Sequence, residues 1–118
     1  MYQNHQTGKT GENAAALFLE EKGYQILERN WRHHHLELDI IAAKGKILQI
    51  IEVKTRHSIA FGWPEQSISK NKMRFLKNAA EAYQFQHKQW KYLQFNVVSI
   101  TMESDTIKEM LFLEDVYF

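Results

Sequence analysis

Three residues stand out for their type and spacing: Asp39, Glu52 and Lys54. Twelve residues separate Asp39 from a Glu-Val-Lys segment. In an extended strand, residues two apart point to the same side. Glu52 and Lys54 therefore share a face, and so do Glu37 and Asp39. Both pairs adjoin strongly apolar residues, where a charge removed from water is costly unless it is paired or bound to metal. Mg²⁺, or Mn²⁺ in its place, takes oxygen ligands and keeps several waters, so Asp39 and Glu52 suffice to anchor it and leave room for a phosphate oxygen. A metal so held lowers the pKa of bound water and offsets charge developing on phosphorus. Lys54 alongside would orient the water or stabilise that charge. The competing reading is a set of surface ion pairs with Lys54 and Arg56, worth about 0–1 kcal/mol. An isolated Glu-x-Lys specifies little. The same segment facing an aspartate across a hairpin specifies much more.

The surrounding sequence supplies that hairpin. Leu36 to Ala42 alternates, Lys46 to Lys54 is apolar on both faces in its middle, and Ala43-Lys44-Gly45 is short enough to turn between them. A strand apolar on both faces is usually central and covered on both sides. Tyr24 to Trp31 reads as a weaker strand before the hairpin. Leu93 to Ile100 and Ile107 to Leu113 read as two strands near the end. Two helices complete the set. Thr10 to Lys22 is rich in alanine and leucine and is stopped by Gly23. Ser69 caps a second helix running to about Lys88, with Met73, Leu76, Ala80 and Tyr83 as its apolar stripe. The order α-β-β-β-α-β-β predicts an α/β fold, a mixed sheet flanked by helices.

The first helix carries a further acidic candidate. On a helical wheel Glu12 falls between Ala16 and Leu19, with Ala15 on the same stripe and Asn13, Glu20 and Glu21 opposite. It points toward the sheet, either as an additional acidic group of the site or as a first-turn residue, capped by Thr10, that interacts with the helix dipole.

Bulk properties narrow the setting. The chain has 118 residues, 44% of them hydrophobic, and a net charge of +1. That length suits one domain, residues 1–118. It contains no cysteine, which removes disulfides, zinc–thiolate sites and a thiol nucleophile. No stretch reaches the roughly 18 apolar residues of a membrane helix, and the polar N-terminus is unlike a signal peptide. The expected location is the cytoplasm, with no membrane partner. A net charge of +1 is weak for a dedicated nucleic-acid binder, so any such surface must be local.

Lys70, Lys72, Arg74, Lys77 and Lys88 make the second helix basic, as a solvated face or a phosphate-contacting one. Lys9, Arg29, Arg32, Arg56 and His57 could extend it. Three successive histidines, His33-His34-His35, cannot all face one way on a strand, which favours a solvated turn over a phosphate contact. Trp63, beside Pro64, is read as a lid over the core in preference to a base-stacking group.

Several blocks together carry a family resemblance. They are Gly8-Lys9-Thr10-Gly11-Glu12-Asn13-Ala14-Ala15, Gly23-Tyr24 through Arg29-Asn30-Trp31-Arg32, Glu37-Leu38-Asp39-Ile40-Ile41, Ile51-Glu52-Val53-Lys54-Thr55-Arg56, Phe61-Gly62-Trp63-Pro64 with Lys72, and Phe95 to Ile100. In these the chain resembles the YraN-like family of bacterial proteins over nearly its whole length. The resemblance implies a restriction-endonuclease-like fold close to that of archaeal Holliday-junction resolvases. It implies catalytic roles for Glu12, Asp39, Glu52 and Lys54, and a Mg²⁺-dependent nuclease acting on DNA, branched or damaged. Lys9, Arg32, Arg56 and Lys72 are the expected nucleic-acid contacts. Analogy with resolvases adds a homodimer. The alternative is a non-catalytic nucleic-acid-binding or protein-interaction module on the same fold. Three positions depart from the family pattern. Leu36 replaces a glycine, and Gln94-Phe95-Asn96 replaces Arg-Phe-Asp.

Overall fold

The computed structural model describes residues 2–57 and 69–116. Phe61-Gly62-Trp63-Pro64 lies outside the described residues, so the lid expected at Trp63 is not among them. The elements follow the order expected: α1 (Tyr2–Glu21), β1 (Gln25–His33), β2 (Leu36–Lys44), β3 (Ile47–Arg56), α2 (Lys70–Gln86), β4 (Tyr92–Glu103) and β5 (Thr106–Leu113). The five strands form one sheet in sequence order. β1, β2 and β3 run antiparallel, β4 lies parallel to β3, and β5 returns antiparallel to β4. The parallel pair requires a crossover, and α2 lies within it. Among the described residues no helix is long and apolar enough to cross a membrane.

The sheet separates two apolar layers. Met73, Leu76, Ala79, Ala80 and Tyr83 of α2 pack with Leu48 and Ile50 of β3 and with Phe95 and Val97 of β4. Ala15, Ala16 and Leu19 of α1 pack with Ile51, Val98 and Ile100 on the other side. β3 is central and contributes to both layers, which is why its middle is apolar without alternation.

Both helix ends obey local chemistry. Ser69 caps α2 by accepting a hydrogen bond from the Lys72 amide at 3.1 Å. Gly23, at φ +93°, ends α1. The Tyr24 amide donates to the Leu19 carbonyl and the Gly23 amide to that of Glu20, a Schellman closure. The start of α1 differs from the expectation. The helix begins at Tyr2, eight residues before Thr10, so Thr10 is not its cap and Glu12 is not in its first turn. Polar residues 2–9 lack the apolar period that marks a helix in sequence, yet they contain no proline to stop one.

Gly11 is buried where α1 crosses β3, and a Cβ there would run into the Thr55 hydroxyl. Glycine thus sets how closely α1 approaches the strand that carries Glu52 and Lys54. The departure in the late strand is also resolved. The Asn96 amide donates to Gln49 Oε1 at 2.6 Å, while its carbonyl oxygen accepts from Gln94 Nε2 at 3.0 Å and from the Asp115 amide at 3.0 Å. A neutral hydrogen-bonded network stands where the family pattern suggests an ion pair.

Candidate metal-binding cleft

The β2–β3 ladder pairs Lys44 with Ile47 at the turn and Ile40 with Ile51 at its other end. Asp39 and Glu52 lie one step beyond. There the alternation of β2 is interrupted. Leu38 and Ile41 both join the α2-side core, whereas Ile40 joins the α1-side core. Asp39 Oδ2 accepts the Val53 amide at 2.9 Å, so a side-chain oxygen replaces the next main-chain acceptor. The two strands part at this point and a cleft opens.

The cleft has a volume of about 710 Å³ and is lined by Lys9, Glu12, Arg29, Asn30, Arg32, Glu37, Asp39, Val53, Lys54 and Thr55. Glu52 lies beneath this lining and is only 5% exposed. Its Oε2 receives Lys72 Nζ at 3.1 Å and Lys54 Nζ at 3.6 Å. Burial and the neighbouring Glu52 carboxylate push the pKa of Asp39 up to about 7, although the Val53 amide opposes the shift. The two carboxyl groups are close enough to share a hydrogen bond when one carries a proton. The negative charge of Glu12 also raises the Asp39 pKa, so the three acids sense one another.

Glu12 itself is held in place. Its Oε1 accepts from Asn30 Nδ2 at 2.8 Å and from Arg29 Nη2 at 3.1 Å. Arg29 also donates to Asn13 Oδ1 at 2.6 Å. Asn30 adopts the left-handed conformation, φ 52°, which asparagine tolerates better than most residues. Arg29 and Asn30 therefore orient an acid across the gap between α1 and β1. Sequence reasoning groups Arg29 with phosphate contacts and passes over Asn30. The available signal is the pairing of an inward-facing Glu12 with an Arg-Asn step on the following strand.

The remaining candidates divide. Lys9 and Arg32 line the cleft, and Arg32 also reaches the half-buried Glu37 at 3.6 Å. Lys72 lies on Glu52, with its ammonium 5.4 Å from the Phe75 ring centroid. Arg56, at the end of β3, is not among the lining residues, and its Nε and Nη2 are buried without a partner among the described residues. His34 and His35 make the turn between β1 and β2, His34 at φ 57°. His33 stacks on Trp31 and hydrogen-bonds Gln86, and His35 packs against Phe75. The histidines thus tie the hairpin to α2.

The donor set fits a hard divalent cation. Asp39 and Glu52 converge, their oxygens suit Mg²⁺, and Asp39 is short of compensating positive charge. Among the described residues no cluster of three or more His, Asp or Glu surrounds one point. Asp39 and Glu52 would be the donors, and Glu12 also lines the cleft.

The family profile described as Uncharacterised protein family UPF0102 matches residues 11–100. A UPF0102 protein of Bacteroides thetaiotaomicron is 40% identical over 117 residues, covering 95% of this chain and 97% of the relative. One from Clostridium perfringens is 40% identical over 116 residues, covering 97% and 95%. One from Flavobacterium psychrophilum is 37% identical over 118 residues, covering 100% and 98%.

Proposed function

The chain belongs to the UPF0102 family, and we propose that it is a Mg²⁺- or Mn²⁺-dependent endonuclease that hydrolyses phosphodiester bonds of DNA. This reading makes it a member of the restriction-endonuclease-like nuclease superfamily. The observation that carries it is the half-buried Asp39 lining an open cleft beside the buried Glu52, with Lys54 on the Glu52 carboxylate and basic residues along the lining. Asp39 and Glu52 would hold the cation. When bound, that cation supplies a Lewis acid for a phosphoryl oxygen and a water of lowered pKa.

The chain's own residues supply the rest. Lys54 shares the Glu52 carboxylate and also lines the cleft, so its ammonium is placed to neutralise charge on a phosphate or to hold a water. Glu12, fixed by Arg29 and Asn30, offers a second acceptor on the facing wall for that water's protons. Lys9 and Arg32 border the opening, where phosphates on either side of the cleaved bond would pass.

The test is incubation of pure protein with linear, flapped and four-way DNA in the presence of Mg²⁺ or Mn²⁺. Cleavage by the wild type, absent in Asp39→Ala and Glu52→Gln, supports the proposal. No cleavage above those controls on any substrate overturns it.

A further inference from the structure

Lys72 occupies a place that ordinary helix physics disfavours. It is the third residue of α2, where the amide dipoles sum to a partial positive charge and an acidic side chain is the usual choice. No acidic residue lies in that first turn. The ammonium is instead turned onto Glu52, 3.1 Å from Oε2, closer than Lys54 on the same oxygen. Lys72 keeps about a third of its side chain exposed, whereas Glu52 is nearly closed off. A buried carboxylate thus takes its principal partner from a side chain that can withdraw to solvent.

The charge count gives this contact a consequence. With both carboxyl groups ionised, as metal binding would require, Asp39 and Glu52 bring two negative charges, and Lys54 and Lys72 bring two positive ones. A dication cannot join this set without leaving two uncompensated positive charges at a half-buried point. The excess is relieved when an ammonium moves off Glu52 and phosphate oxygens enter the cleft. Lys54 shares a strand with Glu52, two residues on, and already lines the cleft. Lys72 reaches Glu52 from a different element and makes the closer contact, so its withdrawal exposes Glu52 most.

We propose that Lys72 is a displaceable counter-ion of Glu52, a positioning residue that yields to a divalent cation and couples cation binding to an anionic DNA phosphate. The inference rests on the metal-site reading above. Removing the competing ammonium should tighten cation binding in the DNA-free protein, the opposite of what loss of a merely structural contact would do. By reciprocity DNA should tighten cation binding to the wild type, and the coupling should shrink without Lys72.

The experiment is calorimetric titration of Mg²⁺ into wild type, Lys72→Met and Glu52→Gln, each with and without an uncleavable phosphorothioate duplex. In the DNA-free proteins Lys72→Met should bind Mg²⁺ at least about fivefold more tightly than wild type, within the usual span of coupling between sites. Glu52→Gln should lose binding. An independent readout uses wild type labelled with ¹³C-lysine. The Lys72 ε-methylene signal should move toward that of a free lysine as Mg²⁺ saturates, and the Lys54 signal should move less. Equal or weaker Mg²⁺ binding by a folded Lys72→Met, or an unmoved Lys72 signal at saturation, overturns the counter-ion role while leaving the metal site standing. No Mg²⁺ binding by any form, with or without DNA, overturns both.

Discussion

Replacing Asp39 with asparagine tests the electrostatics of the cleft without cleavage chemistry. The amide side chain keeps an oxygen for the Val53 amide but cannot ionise. In the folded protein the Asp39 pKa is raised from 3.8 to about 7. Its favourable contribution is therefore fully present below the unfolded value and is lost as pH rises through the folded one. That difference corresponds to about 4 kcal/mol once the group is ionised on both sides of the unfolding equilibrium. Between pH 5 and pH 8 the part that changes is about 2–3 kcal/mol. For a chain of this length that corresponds to a fall in Tm of roughly 10 °C. Without divalent metal, wild-type Tm should fall by about that much more than the Tm of Asp39→Asn over the same interval. Titrating groups remote from the cleft cancel in the difference, which therefore reports Asp39 together with its coupling to Glu52 and Glu12. Saturating Mg²⁺ should restore the wild type more at pH 8 than at pH 5, since the cation favours the ionised pair. Parallel Tm profiles for the two proteins in metal-free buffer would refute the reasoning.

Four other outcomes follow from named contacts. Gly11→Ala improves intrinsic helix propensity by about 1 kcal/mol, yet its methyl meets Thr55 Oγ1, so urea unfolding should show a net loss of about 1–2 kcal/mol. Asn96→Asp removes the donor to buried Gln49 and adds a buried charge, costing about 1–3 kcal/mol by chemical denaturation. Adding Gln94→Arg should recover part of that loss. Asn30→Gly keeps the left-handed backbone but removes the shorter of the two contacts that hold Glu12, so cleavage assays should show about a 10-fold loss in activity with little change in fold. Absorbance titration at 295 nm should find Tyr24 and Tyr83 ionising last, near pH 12. Burial raises both pKa values to about 12, helped by Glu114 beside Tyr24 and by Glu28 beside Tyr83, so stability falls as pH rises from 10 through 12.

The elements and the core of the site are legible in the chain itself. Periodicity marks β2 and the helices, because a buried face repeats every two residues in a strand and every three or four in a helix, while β3 is marked by its short run apolar on both faces. Ser69 and Gly23 mark two helix ends, because capping chemistry is local. The spacing of Asp39 and Glu52 across a short hairpin brings them opposite each other, since antiparallel register counts residues from the turn. The inward position of Glu12 follows from the wheel. Other features depend on elements distant in the chain, and packing alone settles them. The start of α1 at Tyr2 carries no periodic signal. Arg29 and Asn30 reach Glu12 because β1 runs beside α1, and the left-handed turn of Asn30 is not written in its neighbours. Lys72 reads in sequence as one of several lysines on a basic helix. Only the packing of α2 on the sheet sets it on Glu52, because a buried carboxylate draws the nearest cation whatever element supplies it.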